Sequence, residues 1–506
     1  MLATVHSGAL WGVESIAVDV EVNSGERGEL RLVLVGLPDT AVKESLDRVC
    51  SALQNSRHKI PHTRTTINLS PGHIRKEGPM YDLPIAVGIL MASGQVEGNC
   101  DDLLIAGELS LSGKILPIRG AVALALQAKR QGLGAVILPR KSAEEALLIG
   151  GIDIYGAETL GEVVAFLNDR SAMGPMAPRA PSSEKHGGYD FADICGQEGA
   201  RRAAEIAVAG GHNLIMIGCP GVGKSMIAKR IPSIMAAPTL DELIEIHSIH
   251  SAAGTAHGGS PFPSTRPFRA PHHSISRVGL VGGGSTPHPG EISLAHNGVL
   301  FLDELAEFMR STLETLRQPL DDGFITISRS IGKVRFPSAF TFIAAMNPCP
   351  CGHLGSKRRR CSCSQRQVLS YRSKISGPLL DRIDLHIDVP AIGMEIPDAR
   401  AGGESSASIR HRVEEAMGRQ RMRYGSEQNS IRRNSQIPDG SMGKFCSLGD
   451  GERRLLGQAL ERAALSARAC SRIIRVARTI ADLGGAERIG EEHILEALQY
   501  RMLEQP

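Results

Sequence analysis

Short apolar runs and amphipathic runs alternate along the first 168 residues. "SIAVDVEV", "LRLVLVGLP" and "TTINLSP" are rich in β-branched residues and read as strands. "TAVKESLDRVCSALQNS" places its apolar residues at helical spacing, and "PIAVGILMAS" is apolar all round, as a buried helix is. "AVALALQAKRQGLGAVILP" reads as a helix followed by a strand. The alternation predicts a compact α/β domain over 1–168. Residues 169–188, "DRSAMGPMAPRAPSSEKHGG", break every period and read as a linker. A second α/β unit, 189–390, carries strand-like runs at "NLIMIG", "GVLFLDEL", "AFTFIAAMN" and "RIDLHIDVP". Strands alternating with helices predict a parallel sheet. After Pro390 the text turns polar and charged, and helical periodicity returns from about 452 to 504. Residues 391–506 are therefore expected to be a linker and a small helical C-terminal domain. No repeat at solenoid periods is found.

Composition narrows the class. The 506 residues are 42% hydrophobic and 22% charged, ordinary for a soluble globular chain. A net charge of +3 does not announce a nucleic-acid binder, so any such surface must be local. No apolar run approaches the roughly 20 residues of a membrane helix. The N-terminal stretch lacks a basic n-region and is broken by Glu14, so no signal peptide is expected and the cytoplasm is the predicted location. Of ten cysteines, six are scattered and four cluster at 349–363, which is no disulfide framework.

The candidate chemistry centres on "NLIMIGCPGVGKSMIAKRI". Gly218, Gly223, Lys224 and Ser225 fit G-x-x-x-x-G-K-[ST], after an apolar strand and before a helix. Small residues, here Gly218, Pro220, Gly221, Val222 and Gly223, let backbone N–H groups wrap phosphates. Lys224 supplies a point charge and Ser225 a hydroxyl for Mg²⁺. "GVLFLDEL" ends a buried strand in Asp303, a metal carboxylate, and Glu304, a group to polarise water. "TFIAAMNPCP" ends in Asn347, whose amide can orient that water, although Asn-Pro is also a common turn. Arg382 can pair with Asp381 or Asp384 beside it, or reach a neighbouring subunit's phosphate. Arg468, Arg472 and Arg475 lie on one helix, with 468 and 475 on one face, as nucleotide contacts or as a solvated basic stripe.

Together with "FRAPHHSIS", "PGEISLAHNGVLFLDELAEF", "AAMNPCPCG", "LLDRIDLHIDVP" and "RVARTIADL", these segments resemble the magnesium-chelatase-like ComM/YifB family of AAA+ ATPases, in the helix-2-insert group. The resemblance implies ATP and Mg²⁺ as ligands, Asn347 as sensor 1, Arg382 as a trans-acting finger and Arg468, rather than Arg475, as sensor 2. It implies a hexameric ring, and DNA as partner: branch migration of recombination intermediates in natural transformation. The alternative is a chelatase-type remodelling ATPase that drives metal insertion or protein remodelling. The group's insertions would span about 245–290 and "GFITISRSIGKVRFPSAF", a predicted hairpin turning at Ser330-Ile331-Gly332-Lys333. In the family such hairpins face the pore, which would present Arg329, Lys333 and Arg335 to a phosphate backbone. His272 and His273 tempt a metal assignment, but adjacent side chains diverge on most backbones.

"CPCGHLGSKRRRCSC" offers Cys349, Cys351, Cys361 and Cys363 as a possible tetrahedral Zn²⁺ site, with His353 as a substitute ligand. The C-x-C spacing is tighter than usual, and a reduced Cys-rich loop is the bland alternative. Lys357, Arg358, Arg359 and Arg360 between them suit phosphate contacts or a solvated charge run.

The N-terminal domain carries a second resemblance. "KEGPMYDLPIAVGIL" is similar to the nucleophile turn of Lon-type peptidases, and "IAGELSLSGKILPIRGAVALALQA" to the segment holding their catalytic lysine. A Ser-Lys dyad needs a hydroxyl and an amine within reach. Met80 has no hydroxyl, and Arg119 to Leu126 contain no Lys. Ser110, Ser112 and Lys114 precede the expected position. No peptidase activity is expected.

Overall fold

The computed structural model describes the whole chain except residues 27–31, 178–187, 256–264, 285–286, 330–331, 357–358, 391–402, 426–430, 463–465 and 502–506. Half of the proposed linker and the basic pair Lys357 and Arg358 thus lie outside the described residues.

The N-terminal α/β unit is built on a seven-stranded mixed sheet. Across it run Leu32–Val35, Arg64–Ser70, Glu14–Glu26, Leu2–Trp11, Leu103–Ile105, Ala135–Pro139 and Asp153–Ala157. Leu2–Trp11 and Glu14–Glu26 pair antiparallel from Leu2 with Asn23 to Trp11 with Glu14. The helix Asp82–Ala92 is buried along all but one of its positions, as its uniform apolarity requires. Helix Thr40–Asn55 starts where Asp39 accepts the Val42 N–H at 2.7 Å.

The central unit holds a five-stranded parallel sheet in the order Phe268–Arg269, Val299–Leu302, Thr341–Met346, Leu214–Ile217, Leu385–Asp388. Because every strand runs the same way, the C-terminal ends of Leu214–Ile217, Val299–Leu302 and Thr341–Met346 share one edge. That edge is where open α/β sheets bind ligands. The strand Phe268–Arg269 was not legible in the sequence: it is two residues long and sits inside the expected first insertion.

The C-terminal unit comprises Ser406–Tyr424, Asp450–Arg462, Ala467–Leu483 and Glu491–Gln499. Helix begins well before residue 452, a correction to the periodicity reading. Ser406–Tyr424 reads as polar text, yet it buries Ile409, Val413, Ala416, Gln420 and Tyr424 at helical spacing. Its seam closes on the helix Glu198–Gly210, where Gln420 donates to the Ala209 carbonyl at 3.0 Å. Few apolar positions suffice because one narrow stripe faces the core and the rest is solvated.

The N-terminal unit is docked on both insertions. Gly120 N–H donates to the Ser251 carbonyl at 3.2 Å, and the Ser251 hydroxyl to Glu145 at 2.6 Å. Burial pushes the Glu145 carboxyl up to about 7, the Ser251 hydrogen bond opposing in part. Trp11 and Val13 pack against the central unit's core beside the hairpin Phe324–Arg329/Gly332–Pro337. The hairpin pairs Arg329 with Gly332, so only residues 330 and 331 separate the strands. Gly332 and Lys333 belong to the return strand rather than to the turn. Among the described residues no helix is long and apolar enough to cross a membrane.

Candidate nucleotide site

The strand Leu214–Ile217 delivers the chain into the loop 218–223, and the helix Lys224–Ile234 begins immediately after it. Gly218 must be glycine: a Cβ there would lie 2.5 Å from the Val389 carbonyl of the adjoining strand's end. Gly223 has φ 97°, a left-handed conformation that turns the loop into the helix. The helix thereby aims its unsatisfied N–H groups at the loop.

Pro220 to Met226, Asp303, Glu304, Met346 and Asn347 line one pocket of about 360 Å³. The structure thus brings together the predicted phosphate loop, both acids and the strand-end amide. Lys224 Nζ donates to the Gly218 and Cys219 carbonyls at 2.6 and 3.0 Å and lies 3.3 Å from Asn347 Oδ1. Burial lowers its pKa, with Asp303, Cys219 and Glu304 opposing. Ser225 Oγ donates to Asp303 Oδ2 at 2.6 Å, and the Glu304 N–H to Asp303 Oδ1 at 2.9 Å. A hydroxyl and a carboxylate held side by side, facing an open cradle, suit a hydrated Mg²⁺ with its phosphates. Glu304 has φ 51°, rare for a side-chain-bearing residue and concentrated at functional positions. Its side chain remains 56% exposed, free to face a ligand.

His273 approaches Glu304, with Nδ1 3.5 Å from Oε2, and its ring lies 4.0 Å from that of His272. Among the described residues neither histidine joins a group of potential metal ligands. The sequence offered them as a metal pair. The adjacency of His273 to Glu304 comes from the strand Phe268–Arg269, whose end faces the same edge.

The arginines divide. Arg382 pairs neither with Asp381 nor with Asp384: its Nε donates to Asp321 at 2.9 Å and its Nη1 to the Pro378 carbonyl at 2.7 Å. Asp384 is taken by Arg472 at 2.9 Å and by the Asn213 N–H at 3.0 Å. Arg475 is bound to the Ile437 carbonyl and to Asp439, at 2.8 and 2.6 Å. Arg468 stands exposed on the first turn of Ala467–Leu483. None of the four arginines lines the pocket. On the hairpin, Lys333 and Arg335 are exposed, with Arg335 3.6 Å over the Phe324 ring; the Arg329 side chain lies outside the described residues.

The four clustered thiols converge: their sulfurs all lie within 4.8 Å of one another, and His353 is not in the group. Backbone N–H groups of His353 and Ser362 hold the Cys351 thiol down to about 5.

The Lon-like turn is closed. Met80 is buried, and its carbonyl accepts the Gly107 N–H at 2.9 Å. Asp82, fully buried, accepts from Arg48 Nε at 2.8 Å and from the Leu109 N–H at 3.2 Å. Ser110 and Ser112 bond to each other at the surface, 3.0 Å apart.

Comparison with known proteins agrees with this architecture. The chain matches the families described as "Subunit ChlI of Mg-chelatase" over 18–142, "Magnesium chelatase, subunit ChlI" over 190–396 and "Magnesium chelatase, subunit ChlI C-terminal" over 403–501. It is 41% identical to competence protein ComM of Haemophilus influenzae, over 99% of this chain and 98% of that one. It is also 41% identical to YifB of Escherichia coli, over 99% and 97%. A shorter stretch, 21% of the chain, is 31% identical to the peroxisomal Lon protease homolog 2 of Caenorhabditis elegans. The chain belongs to the magnesium-chelatase-like ComM/YifB family of AAA+ ATPases, with a Lon-like N-terminal domain.

Proposed function

We propose that this protein is an ATP-hydrolysing ring motor acting on DNA in the cytoplasm. Lys224 and the loop N–H groups bind the β/γ-phosphates, Ser225 and Asp303 hold Mg²⁺, and Glu304 orients the attacking water with Asn347 beside it. Bound Mg²⁺ supplies charge neutralisation at the transferring phosphoryl group. The observation that carries the ring is the pocket's lining: among the described residues it includes no arginine, whereas Arg382 lies outside it on an exposed acid. A second copy of the chain supplying Arg382 would complete the site; such a head-to-tail contact makes a ring when its rotation closes, and six subunits are the expected ring. Arg468 is read as a contact made to nucleotide when the C-terminal unit closes.

DNA as the partner is supported by the exposed Lys333 and Arg335 on the hairpin, by exposed Arg359 and Arg360, and by the relative named as a competence protein. Branch migration during natural transformation is the reaction proposed. The chelatase family matches keep one alternative, a chelatase-type remodelling ATPase that drives metal insertion or protein remodelling. The four thiols are read as a Zn²⁺ site.

The test is ATP turnover with and without single-stranded and four-way-junction DNA. DNA is expected to stimulate turnover and the junction to be driven apart by strand displacement. Arg382→Ala is expected to bind nucleotide normally yet lose about 10³-fold in turnover, the usual worth of such a finger. No stimulation and no strand displacement would leave the chelatase-type alternative. Full activity in Arg382→Ala would remove the shared site.

A further inference from the structure

The cysteine loop is built against the nucleotide pocket. Asn347 ends the strand Thr341–Met346, and two residues later Cys349 is fully buried. Gly352, at φ 79°, packs its backbone on the phosphate loop: a Cβ there would stand 2.7 Å from Pro220 Cδ. After Cys363 the chain enters the helix Gln365–Arg372, capped by Ser364, and Arg372 Nε returns to the Pro348 carbonyl at 3.4 Å. The thiol loop therefore begins at Asn347, touches Pro220 and closes on Pro348.

The sulfurs form a cage of definite size. Cys349 and Cys351 are 3.4 Å apart, Cys349 and Cys361 3.6 Å, Cys351 and Cys361 3.5 Å. Zn–S bonds of about 2.3 Å at tetrahedral angles set ligand sulfurs about 3.8 Å apart. A polynuclear iron–sulfur cluster needs a wider cage, because its own irons and sulfides fill the space between the thiolates. Further backbone N–H groups donate to the sulfurs, Leu354 to Cys349 and Cys363 to Cys361, each at 3.4 Å. Such bonds hold ligand sulfurs in orientation, as outer-shell partners of metal sites do.

We propose that one Zn²⁺ held by Cys349, Cys351, Cys361 and Cys363 clamps the Asn347–Pro348 strand end against Pro220, so that metal occupancy sets the nucleotide affinity of the pocket. The coupling rests on the nucleotide reading of that pocket. Without the metal, no cross-link between side chains joins the loop's two C-x-C ends, and the strand end carrying Asn347 is free to shift beside Lys224, 3.3 Å away.

The test uses the full chain. Zinc is measured by elemental analysis after dialysis, and affinity by titration of a fluorescent ADP analogue. Wild type is expected to carry about one zinc per chain, as a closed four-thiolate site does. Cys361→Ser/Cys363→Ser is expected to lose the zinc and to bind the analogue about tenfold more weakly, the scale of a small misplacement at a site. Gly352→Ala separates the two links: zinc is retained, but the Pro220 contact is broken and affinity falls. Wild type with no zinc, or with iron in its place, would overturn the proposal. So would a zinc-free double variant, or a zinc-loaded Gly352→Ala, with wild-type affinity. If the double cysteine variant does not fold, Gly352→Ala still tests whether the loop acts on the pocket through Pro220. Wild type that carries zinc but binds no nucleotide would overturn the reading of the pocket itself.

Discussion

Two loops in this chain are laid out for catalysis, and only one is open. At 218–225, Lys224, Ser225, Asp303 and Asn347 face a common pocket of about 360 Å³. At 77–85, the corresponding polar investment is turned inward: Asp82 is fully buried against Arg48, and Met80 occupies the place where a nucleophile would stand. The difference lies in where the polar groups point: into an open pocket at one loop, into the protein interior at the other. A buried ion pair with its hydrogen bonds satisfied holds the turn in shape, because breaking it would strand a charge. The Lon-like unit meets the central unit where Glu145 accepts from Ser251 and where Trp11 packs on the central core.

The comparison can be broken most decisively at the open loop. Asp303→Ala removes the carboxylate that orders Ser225, and ATP turnover should fall by about two to three orders of magnitude, comparable to losing a transition-state donor. Circular dichroism should stay unchanged. The closed loop should respond in the opposite way. Asp82→Asn should cost about 3 kcal/mol of stability, the low end for breaking a buried pair since Arg48 is partly solvated. That is read by denaturant unfolding, while the refolded variant keeps its turnover.

A smaller effect belongs to the contact between the two units. Glu145 is held near 7 in the docked chain, above its value in an unfolded one. The folded state therefore binds the proton more tightly. Stability should fall as pH rises from the unfolded value toward about 7 and level off above it. Glu145→Gln should flatten that dependence and raise stability at pH 8 by about 1–2 kcal/mol. Thermal unfolding across pH 5 to 8 checks the sign. An unchanged slope would mean that Glu145 is not the group responsible.

The smallest expected effect is none. Met80→Ser restores a hydroxyl to the closed turn but no amine, since Arg119 to Leu126 hold no lysine. No peptide hydrolysis should appear against casein. Cleavage by this variant would mean that Lys114 or another base reaches the turn, and the two loops would no longer differ in kind.

What was legible in the sequence was whatever lies within one element and its flanking turn. The phosphate loop, the Asp303-Glu304 strand end and the Met80 turn are contiguous, and each carries its spacing on its face. The parallel central sheet followed from strands alternating with helices. Ser406–Tyr424 was obscured because six buried positions in nineteen, two of them Ser406 and Gln420, leave a composition that reads as solvated. The strand Phe268–Arg269 is too short for any period to register.

The sequence by itself determined the chemistry available: a lysine, a hydroxyl and carboxylates after strands whose burial demands a sheet, and a peptidase turn without its dyad. Tertiary structure alone decided the pairings. Arg382 sits on Asp321, 61 residues away, instead of on the acids beside it. Gly352 lies on Pro220, and His273 beside Glu304. The physical reason is range. Periodicity and turn chemistry act over a few residues, whereas a contact across the sheet edge is set by how several strands stack, which no local spacing encodes.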